Sequence, residues 1–238
     1  FNSDESLVLL QLSTGYWVVD RVGSVVRSSD ALALSASARA NVDAVLARLG
    51  PGQLGLNVGA GFTRLHPRIR NVDVVAGTMV DYRASAVALP FPDQTFDLVV
   101  TQETLEHVAD PFKAMDEIAR VMKRGGALYC QLPFVIGFHP GPQDFWRFTV
   151  QGIRELTERS GLRVTRQEIS VGGASGYYRI SVEFWSGLLS LGRPPIYKPL
   201  KALFALALYP LKWLDVLFAR SPEKDRIPGG YLVTARKD

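Results

Sequence analysis

Residues 54–61, LGLNVGAG, run from a short apolar segment into the turn Gly59-Ala60-Gly61, and Asp73 follows within the next apolar run, NVDVV at 71–75. A strand that ends in Gly-x-Gly lets a ligand approach the backbone closely, because no Cβ stands in the way. A carboxylate at the end of the neighbouring strand can accept both hydroxyl hydrogens of a ribose. The two features predict a nucleoside site at the carboxyl edge of a parallel sheet. Asp73 stands 14 positions after Gly59, and Arg64 occupies the place of a third glycine. A nicotinamide dinucleotide fingerprint wants that glycine, and an acidic residue ~20 positions on. The shorter spacing favours a nucleoside without a pyrophosphate, and the lack of a Walker sequence disfavours ATP.

Working outward, FDLVV (96–100), ALYCQLP (127–133), LRVTRQEIS (162–170) and YLVTAR (231–236) read as further strands. Asp110-Pro111 is a good N-cap and first-turn pair for a helix through FKAMDEIARVMKR, stopped by Gly125-Gly126. A second helix runs from Thr149 to Ser160 and closes at Gly161, and a third from Ser29 or Asp30 to Leu49. LVLLQL and YWVVDRVGSVVR predict edge strands, with a hairpin around Ser13-Thr14-Gly15. Between Asp73 and Asp81 there is no room for a crossover helix, which takes ~10–12 residues. Alternating strands and helices predict an α/β fold with a mostly parallel sheet.

The chain has 238 residues, 47% of them hydrophobic and 21% charged, which excludes disorder and fibrous repeats. Its net charge of +4 is too mild to argue for nucleic acid. Residues 1–170 carry 17 basic and 18 acidic side chains, and residues 171–238 carry 10 and 5. The basic excess therefore lies beside the most apolar segments, where no stacking groove for RNA is apparent. The single cysteine, Cys130, excludes an internal disulfide and a cysteine-built metal site, and it reads as core. No metal is expected. FNSDES carries no basic-then-apolar signal pattern, so a cytoplasmic location is expected.

NVGAG, Asp73, ALPFPDQTFDLVVTQETLEHVADP and RVMKRGGALYCQLP, taken in order, resemble the class I S-adenosylmethionine-dependent methyltransferases. The likeness is to small-molecule enzymes with an LPF-x-D-x-x-FD-x-V and LEHV signature, and it covers roughly residues 52–170. It implies a Rossmann-like, mostly parallel seven-stranded sheet whose last strand is antiparallel. It also implies S-adenosylmethionine as cofactor, with Gly59, Ala60 and Gly61 against the methionine moiety and Asp73 on the ribose. Ser85, Ala86 and Val87 would border the adenine, and Thr101 and Gln102 would close the pocket. Asn57 stands where the family usually has a carboxylate that organises the methionine amine, and Ser85 where it usually has Asp. Hydrogen bonds to charged partners are the stronger ones, so a non-catalytic binding or regulatory protein is the alternative reading. The expected organisation is an N-terminal extension and leading helix (1–50), the cofactor-binding core (51–170), an apolar helical insertion (171–230) and the last core strand (231–238).

Methyl transfer from a sulfonium gains most from proximity and alignment, though an oxygen or nitrogen acceptor still needs its proton removed. His139, in the aromatic loop PFVIGFHPGPQDFWRFT beside Asp144 and Arg147, is the leading general-base candidate, and His107 of LEHV the second. His66 reads as structural, and Glu103 and Glu106 as charges at the start of a helix. Residues 196–219 are too interrupted by Lys198, Lys201, Lys212 and Asp215 to span a bilayer, which takes ~20 predominantly apolar residues. Trp185, Tyr197, Tyr209 and Trp213 with those lysines suit a membrane surface contacted through 175–220, and hence a lipid-linked acceptor. Burial in the core or in a homodimer interface is the other use of the same pattern.

Overall fold

The computed structural model describes residues 8–12, 15–19, 25–27, 43–47, 49–61 and 64–238. Strands β1 (Val8–Leu12), β2 (Gly15–Val19) and β3 (Val25–Arg27) form an antiparallel three-stranded sheet, with Leu12 paired to Gly15 across the expected hairpin. Most of the helix expected over 29–49 lies outside the described residues, and within it residues 43–46 are helical.

The main sheet has seven strands in the order β6-β5-β4-β7-β8-β10-β9. These are β4 (Gly55–Val58), β5 (Ile69–Asp73), β6 (Tyr82–Arg83), β7 (Phe96–Gln102), β8 (Met122–Pro133), β9 (Leu162–Val171) and β10 (Gly230–Lys237). From β6 to β8 every pairing is parallel, whereas β10 runs antiparallel to both its neighbours, β8 and β9. This is the expected Rossmann-like architecture. Helix α1 (Pro111–Val121) starts on Asp110, whose carboxylate accepts the Lys113 N–H, and α2 (Val150–Glu158) starts on Thr149. Met115, Ile118, Ile153 and Leu156 from these helices pack on Leu56, Val99, Leu128 and Cys130. The opposite face, Leu98, Val100, Tyr129 and Leu232, is covered by Val45 and Leu46. Apolar side chains on both faces explain why the strands read as near-continuous apolar runs.

The sequence reading is corrected at three boundaries. β5 ends at Asp73 rather than Val75, because the Asp73 carboxylate accepts the Val75 N–H at 2.9 Å and turns the chain, leaving Val74 and Val75 exposed. α1 stops at Val121, and Met122 already pairs with Phe96 in β8, so Lys123 and Arg124 belong to a strand. Residues 82–83, not read as a strand at all, add the edge strand β6. The connection from 74 to 81 indeed holds no helix.

Between β9 and β10 come α3 (Gly173–Ser190), α4 (Pro194–Ala207), a 3₁₀ segment (Tyr209–Leu214) and the short α5 (Asp215–Phe218). No residue of α4 is buried, and Leu206, Trp213 and Leu217 are 77%, 68% and 64% exposed. Among the described residues no helix is long and apolar enough to cross a membrane.

Candidate functional site

β4 ends in the turn that starts the site. Gly59 has φ +72° and Gly61 φ +52°, both in the left-handed region that side chains avoid. A Cβ on Gly59 would also fall 2.1 Å from Thr104 Oγ1, so this glycine lets the segment after β7 close against β4. The Asp73 carboxylate faces the turn and accepts the Gly61 N–H at 2.8 Å through one oxygen and the Val75 N–H through the other. A carboxylate offers about four lone-pair sites, so acceptor capacity remains on both oxygens.

A cavity of about 770 Å³ begins at Gly59, Ala60, Gly61 and Asp73, passes Ser85, Ala86 and Val87, and continues to His107 and His139. It thus joins most of the residues expected on the cofactor with both histidines expected at the acceptor. Asn57, Thr101 and Gln102 do not line it. Asn57 is buried and donates from Nδ2 to Asn71 Oδ1 at 3.3 Å, directly across the β4–β5 pairing. Thr101 and Gln102 are buried within β7, and the wall is formed by the next two residues, Glu103 and Thr104.

The histidine end of the cavity is held by two segments tied together. Leu105–His107 form one 3₁₀ turn after β7, and the loop after β8 docks on it: Phe145 and Trp146 donate their N–H groups to the Glu106 carbonyl, and Trp146 Nε1 reaches Val108 O. Asp144 accepts the His139 N–H at 2.9 Å and both terminal nitrogens of Arg147. These contacts hold its carboxyl down at about 2 against the opposing effect of burial. The His107 and His139 rings meet edge to face with centroids 5.0 Å apart.

Glu106 overturns its expected role as a solvated charge. Its side chain is 0% exposed, and burial pushes its carboxyl up to about 7. Glu103, at the end of β7 with φ +47°, is likewise pushed by burial to about 7, while Gln131 donates to it at 3.4 Å. Sequence reasoning missed the value of both carboxylates, because a Glu beside a predicted helix start is ordinarily solvated. It also missed the third wall. Glu183 of α3 and Tyr197 and Lys201 of α4 line the cavity, with the Tyr197 hydroxyl donating to Glu183 and Lys201 Nζ 2.5 Å from it. Lys201 and Lys212, expected at a membrane surface, are engaged within the protein, Lys212 Nζ lying 4.6 Å from the Tyr178 ring centroid. His66 accepts the Arg68 N–H and stays outside the cavity wall, and Cys130 is buried in β8, both as expected.

A seven-stranded sheet with one antiparallel strand, a glycine turn after β4 and a carboxylate at the end of β5 are the fold features of the class I S-adenosylmethionine-dependent methyltransferases, a class whose cofactor is S-adenosylmethionine. Within that class, residues 56–130 match the model of the family described as "Methyltransferase domain". A ubiquinone/menaquinone biosynthesis C-methyltransferase of Escherichia coli O1:K1 is 43% identical over 147 residues, 53% of this chain and 56% of that protein. The Pasteurella multocida protein of the same name is 46% identical over 61 residues, 26% of this chain and 22% of its own length. The chain thus spans little more than half of these relatives at most. Among solved structures, the cyclase SpnF superposes with TM-score 0.54 at 21% identity, covering 84% of this chain and 81% of that one. Phosphoethanolamine N-methyltransferase 2 of Haemonchus contortus, solved with S-adenosyl-L-methionine, gives 0.52 at 17% identity, covering 83% and 52%. At such identities the structural likeness concerns the fold.

Proposed function

We propose that this protein transfers a methyl group from S-adenosylmethionine to a small, hydroxyl-bearing and lipid-linked acceptor. The observation that carries the reading is the continuous cavity that runs from the glycine turn and Asp73 to His107 and His139. The residues suit the cofactor. Gly59, Ala60 and Gly61 offer close backbone approach, Asp73 has spare acceptor capacity for two ribose hydroxyls, and Ser85, Ala86 and Val87 form a wall for a flat base. When bound, the cofactor supplies an electrophilic methyl on a sulfonium. The chain's own contribution is to orient both reactants and exclude water, with His107 and His139 lining the acceptor's half of the cavity.

The insertion supports a greasy acceptor. α3 and α4 line the cavity through Glu183, Tyr197 and Lys201, while Leu206 of α4, Trp213 of the 3₁₀ segment and Leu217 of α5 lie exposed. Such a helical pair would rest on a membrane with its apolar side chains at the headgroup level. The E. coli relative is named for ubiquinone/menaquinone biosynthesis, which agrees with an acceptor of this kind. The test is transfer of label from methyl-labelled S-adenosylmethionine into hydroxylated lipids, compared with water-soluble phenols and sugars. Cofactor binding without label in any of them would leave a binding protein instead.

A further inference from the structure

At the far end of the cavity a carboxylate oxygen and two imidazole nitrogens converge. Glu106 Oε1 lies 3.6 Å from His107 Nε2 and 3.8 Å from His139 Nε2, and the ligand atoms of all three residues fall within 4.8 Å of one another. The partners of the two rings decide their tautomers. His107 Nδ1 is 2.5 Å from the Gln143 carbonyl, which can only accept, so Nδ1 carries the hydrogen. His139 Nδ1 is 2.9 Å from the Gly137 carbonyl and 3.2 Å from Arg147 Nη2. Both hydrogens of Nη2 are directed elsewhere, to Asp144 Oδ2 at 2.6 Å and Gly137 O at 2.9 Å. His139 Nδ1 is therefore the donor as well. In its neutral form each ring therefore turns a bare Nε2 towards the same carboxylate oxygen. Glu106 is fully buried, and among the described residues neither of its side-chain oxygens nor His139 Nε2 has a hydrogen-bond partner. A buried carboxylate left so is costly unless a cation meets it.

We infer that Glu106, His107 and His139 form a binding site for a divalent first-row metal ion, with a hydroxyl of the acceptor as a further ligand. Two imidazole nitrogens and one carboxylate oxygen suit Zn²⁺ or Mn²⁺. Atoms ~2.1 Å from a tetrahedral ion are ~3.4 Å apart, so the two Glu106 separations of 3.6 and 3.8 Å need little contraction, and the histidine nitrogens draw together from within 4.8 Å. Backbone carbonyls holding the Nδ1–H groups are the usual outer support of metal-bound histidines. Three protein ligands leave a coordination position open, and both histidines line the cavity. An ion there would hold a hydroxyl oxygen and lower its pKa, the proton passing to water. His139 is then a ligand, in place of the free general base expected from the sequence. This use of the ion rests on the methyl-transfer reading, whereas the existence of the site does not.

The test titrates untagged protein, stripped with EDTA and then freed of it, with Zn²⁺ and separately with Mn²⁺ by calorimetry. One equivalent should bind and raise the melting temperature. E106Q and H139A should each weaken binding by at least ~10–100-fold, and H66A should leave it unchanged. Should the site variants fail to fold, Mn²⁺ electron paramagnetic resonance on the wild type reads the same binding. No binding of either ion by the wild type, or equal weakening by H66A and H139A, overturns the site. S-adenosylhomocysteine titrated into the EDTA-treated protein separates the two readings. Cofactor binding without metal binding removes the metal site and leaves the methyltransferase. Metal binding without cofactor binding supports the site and removes the methyltransferase.

Discussion

Asp73→Ala is the perturbation most directly tied to cofactor recognition. In the folded protein each carboxylate oxygen accepts one backbone N–H, from Gly61 at 2.8 Å and from Val75 at 2.9 Å. That leaves one lone-pair site on each for a ribose hydroxyl. Hydrogen bonds to a charged group contribute about 1.5–3 kcal/mol, which corresponds to roughly 10–150-fold in affinity. Calorimetry with S-adenosylhomocysteine, which binds without turnover, reads this loss. The same substitution also releases the Gly61 turn, so part of the effect could come through the backbone. An analogue lacking the ribose hydroxyls separates the two contributions, because its affinity should differ little between wild type and variant. An affinity for S-adenosylhomocysteine that is unchanged in Asp73→Ala would remove this carboxylate from the site. An equal loss with the deoxygenated analogue would reduce it to a brace for the turn.

Gly59→Ala places a methyl 2.1 Å from Thr104 Oγ1 at φ +72°, an overpacking of about 1–3 kcal/mol that should lower the melting temperature by roughly 2–12 °C. Wild-type melting would show that β4 and the segment after β7 can part without loss. Arg120 donates to Glu117 and holds its carboxyl below the usual range. Its contribution to stability is therefore present above the unfolded pKa of ~4.3 and lost as pH falls through the folded value. E117Q should flatten denaturant-measured stability across that acid window, and an unaltered pH profile would contradict the assignment. H139A should lower turnover while cofactor affinity stays intact; weakened cofactor binding would place this ring at the wrong end of the cavity. Sedimentation with vesicles should show binding that changing Leu206, Trp213 and Leu217 to Ser abolishes. Because Lys201 and Lys212 are engaged internally, added salt should weaken it only mildly. Loss of solution assembly in the triple variant, without any vesicle binding, would assign this surface to a second copy.

The sheet and the glycine turn at its carboxyl edge were legible because their determinants are local. A Gly-x-Gly turn, an acidic strand end and the Asp110-Pro111 helix start each act within a few residues. The apolar run 71–75 overran the strand end at Asp73 by two residues because an Asx turn, set by the same carboxylate, outcompetes the β propensity of Val74 and Val75. At the acceptor end the decisive relations are not local. Glu106 becomes a buried acceptor only when the loop carrying His139 folds over it, and periodicity says nothing of that contact. Nor could the sequence show that α3 and α4 close the cavity while leaving apolar side chains outside, since the apolar residues of α4 spread around the helix.

The most direct measurement is a crystal structure with S-adenosylhomocysteine. The ribose hydroxyls should lie on Asp73, the base beside Ser85, Ala86 and Val87, and the sulfur should face the half of the cavity that holds His107 and His139. A ligand bound with its sulfur turned away from the histidines, or bound outside this cavity, would contradict methyl transfer at this site.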